Sequence, residues 1–299
     1  MKNNLVSALP SVKGKYRLEA DLSKMCWFGV GGKAEVLFIP NDAEDLAHFL
    51  SNVPRSIPIN IIGVGSNVVF KDGIIEGVTI RLGRGFNFLN IHDEFEIAFG
   101  CAVMDLNLAL FAAQHSVAGM EFFSGIPGTM GGALAMNAGA YGGETAEVLL
   151  KARGINIRTG VTREFTAADF GFFYRGNSLD KDWIFIDGIA KGRKGEQHLI
   201  SSSIDEIQSK RSSTQPIRSK TGGSTFKNPS GMKAWELIDK AGCRGFRIGG
   251  ASISELHCNF LINDGTATSD DIINLIHEVK NRVFSTSGIH LEAELKVIG

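Results

Sequence analysis

Residues 124–144, SGIPGTMGGALAMNAGAYGGE, constrain this chain more than any other stretch. Gly125, Gly128, Gly131, Gly132, Gly139, Gly142 and Gly143 lie among Ala133, Ala135, Ala138 and Ala140, so side chains fill little of the volume. Glycine inside a helix or strand costs roughly 0.5–1 kcal/mol relative to alanine. Such a concentration makes sense where the backbone must approach something flat or anionic, because N–H groups unshielded by a Cβ can reach a ring or a phosphate. A flexible linker would carry more serine and charge. Here Ile126, Met130, Leu134, Met136 and Tyr141 are interleaved instead. The stretch reads as a cofactor bed.

Composition is that of an ordinary globular protein, at 43% hydrophobic and 21% charged, and 299 residues suffice for two or three domains with real cores. The formal net charge of -1, from 31 basic and 32 acidic residues, asks for neither nucleic acid nor an anionic membrane. The first 24 residues lack the apolar core of a signal peptide, and nowhere do 18 uncharged apolar residues run together. A cytoplasmic protein is therefore expected; the sequence leaves the oligomeric state open, a monomer being one option. Cys26, Cys101, Cys243 and Cys258 form no CxxC and read as reduced thiols, not as a disulfide frame or zinc ligands.

In chain order, a polar lead-in precedes a strand at 34–39, and Asn41 with Glu44 marks the cap of an amphipathic helix to about Asn52. A strand at 59–62 runs into Gly63-Val-Gly-Ser-Asn67, completing a βαβ unit. That turn departs from a dinucleotide fingerprint, because Val68 holds the third glycine position and no helix follows. Strands at 78–82 and 94–99 and a helix at 103–115 lead to the glycine bed. A hairpin pairs 149–157 with 161–165, and 183–189 returns as a strand. After a helix near 202–211, the Ser/Thr/Pro-rich segment 212–220 is the best domain boundary. Helices at 233–241 and 269–284 flank a strand at 259–263. The last strand, 290–298, puts Leu291, Ala293, Leu295 and Val297 on one face. The fold class is α+β.

Three short segments could carry chemistry. Gly222-Gly-Ser224-Thr-Phe-Lys227-Asn228-Pro sets a hydroxyl, a cation and an amide on one loop, in otherwise common turn vocabulary. Tyr174-Arg175 sets an aromatic beside a guanidinium fork suited to carboxylate or phosphate, though such a pair also occurs as a plain surface contact. Glu294, between Glu292 and Lys296, is either part of a solvated face or an acid aimed into a site.

Taken in order, GIPGTMGGALAMNAGAYGGE, YRGNS, GGSTFKNP, AGCRGFRIGGASIS and LEAELKVIG strongly resemble the UDP-N-acetylenolpyruvoylglucosamine reductase family, from about Cys26 to Gly299. The length matches the shorter subclass, without the tyrosine-bearing lid. The resemblance implies an FAD-binding fold of the vanillyl-alcohol-oxidase type. Two flavin-binding lobes, 1–82 and 83–211, would be joined by a substrate domain, 212–288, with 289–299 returning to the flavin site. It implies non-covalent FAD on Gly63, Val64, Gly65, Ser66 and Asn67, and on Gly125, Ile126, Pro127, Gly128, Gly131, Gly132, Ala138 and Gly139. By the same resemblance, Ser224 is the proton donor, Arg175 and Glu294 stabilise an enol, and Tyr174, Lys227, Asn228 and Arg244 contact substrate.

The implied activity is NADPH-dependent reduction of UDP-N-acetylglucosamine enolpyruvate to UDP-N-acetylmuramate, for peptidoglycan synthesis. Three positions depart from the family pattern. Gly29 replaces a basic residue, Val64 a glycine and Asn177 a serine. Two other readings fit the fold: a flavin-dependent alcohol oxidase or dehydrogenase, with covalent flavin as one form, and a nucleotide-sugar binding protein without turnover.

Overall fold

Helix α1 (Ala43–Asn52) is capped by Asp42 and not by Asn41; the Asp42 carboxylate accepts the Asp45 N–H at 2.9 Å. In this computed structural model, which describes residues 5–299, Asp45 is itself a buried hub. Its carboxylate accepts the backbone N–H groups of Lys13, Gly14 and Asn41 at 2.7, 2.8 and 3.0 Å. Three donors offset the burial of one charge, and they pin residues 13–14 to the start of α1.

The lead-in hides a strand, Lys15–Asp21, which heads a four-stranded sheet ordered Lys15–Asp21, Lys33–Ile39, Ile74–Arg81, Ile59–Ile62. The expected βαβ unit is thus split. Ile59–Ile62 pairs in parallel with Ile74–Arg81, which stands between it and Lys33–Ile39.

The chain divides into two units. One comprises the chain up to Leu18, Glu35–Gly63 and Gly77–Ser209; the other comprises Glu19–Ala34, Val64–Glu76 and Lys210–Gly299.

The first unit is built on an antiparallel sheet ordered Thr162–Thr166, Leu149–Asn156, Trp183–Lys191, Glu96–Gly100, Leu89–Asp93. The expected hairpin about residues 158–160 is present, with Gly160 at φ +70°. Helix α2 (Asp105–Gln114) buries Leu108, Ala109, Ala112 and Ala113, and helix α3 (Met130–Met136) packs on strand Trp183–Lys191. A second core joins α1 to the first sheet through Val36, Phe38, Leu46, Phe49, Val78 and Ile80. The Phe38 and Phe49 ring centroids lie 4.5 Å apart. Each such side chain contributes about 1.5–3 kcal/mol by leaving water.

In the second unit, Arg247–Ile248, Ala251–Ile253 and Leu261–Asn263 form an antiparallel sheet. Helix Ser269–Ser287 covers it with Ile272, Leu275, Ile276, Val279 and Val283. Thr268 and Asp271 form its capping box and Gly288, at φ +70°, ends it.

Two expectations shift. Helix Gln197–Thr214 absorbs Ser212–Thr214, which the sequence assigned to a linker. The last strand is only Lys296–Ile298, parallel to Val68–Phe70. Its alternation breaks, because Leu291, Leu295 and Ile298 are buried while Val297 is 43% exposed. Among the described residues no helix is long and apolar enough to cross a membrane, and all four cysteines are buried free thiols.

Candidate active site

The glycine bed folds into a 3-10 turn, Glu121–Gly125, then α3, then a two-stranded ladder of Gly139–Ala140 with Gly143–Glu144. Its glycines serve two purposes, where the sequence suggested one. A Cβ on Gly125 would overlap the Tyr141 ring; on Gly128 it would lie 2.7 Å from Asp105 Oδ2, and on Gly131 3.1 Å from the Cys101 carbonyl. On Gly139 and Gly143 it would press on Gly143 O and Phe122 at 2.7 and 2.6 Å. The protein's own atoms crowd these five positions. A Cβ on Gly132 would meet nothing within 4 Å, so there the backbone is bare toward open space. Gly132 is exposed, and its bare backbone leaves room for a planar ring to lie against it.

Residues 101–105 run antiparallel to 128–131 behind the bed. Gly131 N–H donates to Cys101 O, Met130 N–H to Val103 O and Asp105 N–H to Gly128 O, at 3.0, 2.9 and 3.1 Å. Asp105 is fully buried and neither carboxyl oxygen has a hydrogen-bond partner. Burial pushes its pKa well above the usual carboxylate range. Burial, with Asp187 and Asp105 nearby, also raises the Cys101 thiol.

Arg175 sits on the turn after Phe173, whose N–H and carbonyl exchange hydrogen bonds with Gly176 at 3.0 and 3.1 Å. It is a non-glycine residue at φ +59°, a strained backbone of the kind that clusters at functional sites. Its Nη2 donates to Gly139 O at 2.9 Å, and its guanidinium lies 5.0 Å from the Tyr174 ring centroid. Tyr141, Glu144, Glu147, Tyr174 and Arg175 line a cavity of about 270 Å³. Asn177 has a structural task. Its Nδ2 donates to the carbonyls of Leu134 and Ala135, each at 3.1 Å, closing the end of α3.

In the second unit, Gly65 adopts φ +74° and a Cβ there would collide with the Met25 carbonyl. Trp27 N–H donates to Gly65 O at 3.0 Å. Val64 is outside the left-handed region, so backbone geometry does not call for a glycine at this position. Asn67 Nδ2 donates to Glu294 O at 3.1 Å, and Lys296 N–H donates to Asn67 O at 3.1 Å.

The segment after Ser224 pairs with the one around Glu294. Glu294 N–H donates to Thr225 O at 2.8 Å, Lys227 N–H donates to Glu292 O at 2.9 Å, and Phe226 bridges to Ala293. Ser224 is exposed and Glu294 half-buried. Asn259, a buried residue the sequence reading missed, holds this segment from behind. Its Oδ1 accepts Phe226 N–H at 2.9 Å and its Nδ2 donates to Phe226 O at 2.8 Å. No motif marks such a residue, since its value lies in a pairing with a segment 33 positions away.

The other expected contacts have work inside the protein. Lys227 Nζ lies 2.6 Å from Glu292 Oε1. Asn228 Oδ1 accepts the Ala234 N–H at 2.9 Å, at the start of helix Ala234–Lys240. Arg244 grips Asp239 with two hydrogen bonds of 2.9 and 2.8 Å and also donates to Glu255 O. The bond to Arg244 holds the Asp239 carboxyl below its usual range. Thus Asn67, Ser224, Lys227 and Glu294 gather in one unit, and Tyr174, Arg175 and Gly139 in the other.

Known proteins resemble this chain in sequence and fold. A family model described as UDP-N-acetylenolpyruvoylglucosamine reductase, C-terminal domain, matches residues 215–298, and one described as FAD binding domain matches 34–166. The UDP-N-acetylenolpyruvoylglucosamine reductase of Rickettsia akari (strain Hartford) is 50% identical over 97% of this chain and 98% of its own length. That of Methylorubrum populi is 51% identical over 99% and 96%. The crystal structure of UDP-N-acetylenolpyruvylglucosamine reductase from Thermus caldophilus superposes with a TM-score of 0.83 at 29% identity, covering 97% of this chain and all of that one.

Proposed function

The chain belongs to the UDP-N-acetylenolpyruvoylglucosamine reductase family and is an FAD-dependent oxidoreductase; from that premise we propose how its residues divide the work. The reaction is reduction of UDP-N-acetylglucosamine enolpyruvate to UDP-N-acetylmuramate with NADPH, a step of peptidoglycan precursor synthesis. Bound FAD supplies the two-electron relay between NADPH and the enolpyruvyl double bond.

Gly132, with open space where a Cβ would stand, and its neighbours Gly125, Ile126, Pro127, Gly128, Gly131, Ala138 and Gly139 would hold the flavin ring. The turn Gly63, Val64, Gly65, Ser66 and Asn67 would hold the diphosphate, with Gly65 and Asn67 fixed by the contacts described above. Ser224 donates the proton that completes reduction at C2 of the enolpyruvyl group. Glu294 and Arg175 stabilise charge developing at C2 and its carboxylate, where fixed polar groups are most effective. Tyr174, Lys227, Asn228 and Arg244 would orient the nucleotide sugar.

One observation supports this division above all. The Glu294 N–H to Thr225 O hydrogen bond of 2.8 Å sets the proposed acid directly beside the residue after the proposed proton donor. A hydroxyl is a weak acid in water, so it serves only where neighbours stabilise the alkoxide it leaves.

The decisive experiment begins with the purified protein's spectrum. A yellow protein that releases free FAD on acid precipitation, consumes NADPH with the enolpyruvyl substrate and yields a product two mass units heavier fits the proposal. Covalent flavin, or flavin without substrate-dependent NADPH oxidation, would exclude it.

A further inference from the structure

Gly29 is left-handed, at φ +69°, and one side chain lies across its bare face. A Cβ there would stand 3.2, 3.5 and 3.6 Å from Cδ, Cε and Nζ of Lys220. The stem of this exposed lysine therefore runs along the glycine. Its ammonium also reaches toward Gly265, where a Cβ would be 4.0 Å from Nζ.

The backbone beneath is held at both ends. Lys220 O accepts the Asn263 N–H at 3.0 Å, while the buried Asn263 amide donates to Phe28 O at 2.7 Å. Two residues further, a Cβ on Gly222 would overlap the Phe28 ring. Among the described residues no carboxylate pairs with Lys220. The acid nearest in sequence to Asn263, Asp264, is already engaged by Arg247 and by the Thr266 N–H and hydroxyl.

The turn that Lys220 crosses is also the one packed on the diphosphate turn. Gly29 N–H donates to Cys26 O at 2.8 Å, Trp27 N–H donates to Gly65 O at 3.0 Å, and Cys26 Sγ contacts Val68 O at 3.2 Å. An aligned, unneutralised cation is thus built one turn away from backbone suited to an anion.

We propose that Lys220 is a diphosphate-binding residue, its ammonium serving a nucleotide ligand held against Gly65–Asn67. This rests on the functional reading above. The chemistry is shared by FAD and by the UDP-linked substrate.

Lys220→Met keeps the stem over Gly29 and removes only the charge; Lys220→Arg restores a charge. The holoenzymes are compared by flavin fluorescence released during a thermal ramp, by the FAD dissociation constant at low and high salt, and by the KM for the UDP substrate. Loss of a hydrogen bond to a charged group predicts weakening of about tenfold or more in Lys220→Met. It also predicts reduced salt sensitivity and recovery in Lys220→Arg. Looser flavin assigns the cation to FAD. A raised KM with flavin retention unchanged assigns it to the substrate. Wild-type values for both in Lys220→Met overturn the assignment while leaving the flavoenzyme reading intact. A wild type that retains no FAD overturns that reading and the assignment with it.

Discussion

Asn67 and Glu294, 227 positions apart, are joined by a 3.1 Å hydrogen bond from the Asn67 amide to the Glu294 carbonyl, and the Lys296 N–H returns one to Asn67 O. The turn proposed to hold a diphosphate and the segment proposed to supply an acid are therefore one hydrogen-bonded unit. Glu294 in turn donates to Thr225 O, which extends the connection to the segment bearing Ser224.

That connection separates two halves of the reaction. Bleaching of the flavin by NADPH needs neither Ser224 nor Glu294. Recovery of colour on adding the enolpyruvyl substrate needs proton delivery and charge stabilisation. Ser224→Ala should leave the first rate nearly unchanged and slow the second by about 10²–10⁴. Glu294→Gln should act on the same half. Stopped-flow absorbance reads each rate, and an equal effect of Ser224→Ala on both would make the serine structural.

The glycine bed yields a contrast. Gly132→Val places its side chain in open space and should give folded, colourless protein. Gly125→Val must displace the Tyr141 ring and should lose about 1–3 kcal/mol of stability through overpacking. Visible absorbance and thermal unfolding distinguish them. A fully yellow Gly132→Val would remove the ring from that position.

Asp105 predicts a pH dependence. In the unfolded chain its carboxyl has a pKa near 3.9, about the usual aspartate value, and in the fold burial raises it. Folding then takes up a proton above about pH 4. The contribution to stability is full below the unfolded pKa and declines as pH rises toward the folded one, by about 1.4 kcal/mol per pH unit. Asp105→Asn lacks this slope. Its stability relative to wild type should improve from pH 4.5 to pH 7 in urea melts. Parallel curves would show that the carboxyl ionises in place.

Asn177→Ser tests the end of α3. Serine is shorter and cannot reach both the Leu134 and Ala135 carbonyls, so about 1 kcal/mol should be lost. The melting temperature should fall by about 2 °C. An unchanged melt would mean that water satisfies those carbonyls equally well.

The sequence by itself determined that a glycine-rich stretch lies at residues 124–144, that the fold is α+β, and which short segments carry the family's motifs. Glycine content, periodicity and capping residues are local properties, legible without knowing what packs against them. Helix Ser269–Ser287 was readable as far as Phe284 because its apolar residues recur with helical spacing. Tertiary structure decided what each glycine is for, since only the positions of Tyr141, Asp105 and Cys101 separate Gly125, Gly128 and Gly131 from Gly132. It broke the alternation at Val297, because parallel pairing with Val68–Phe70 sets the exposure of that strand and the intrinsic period does not. It also placed Asn259 behind Phe226, Asn67 beside Glu294 and Lys220 across Gly29. Each joins segments far apart in the chain, and contacts of that kind leave no trace in local sequence because either partner alone is an ordinary polar residue.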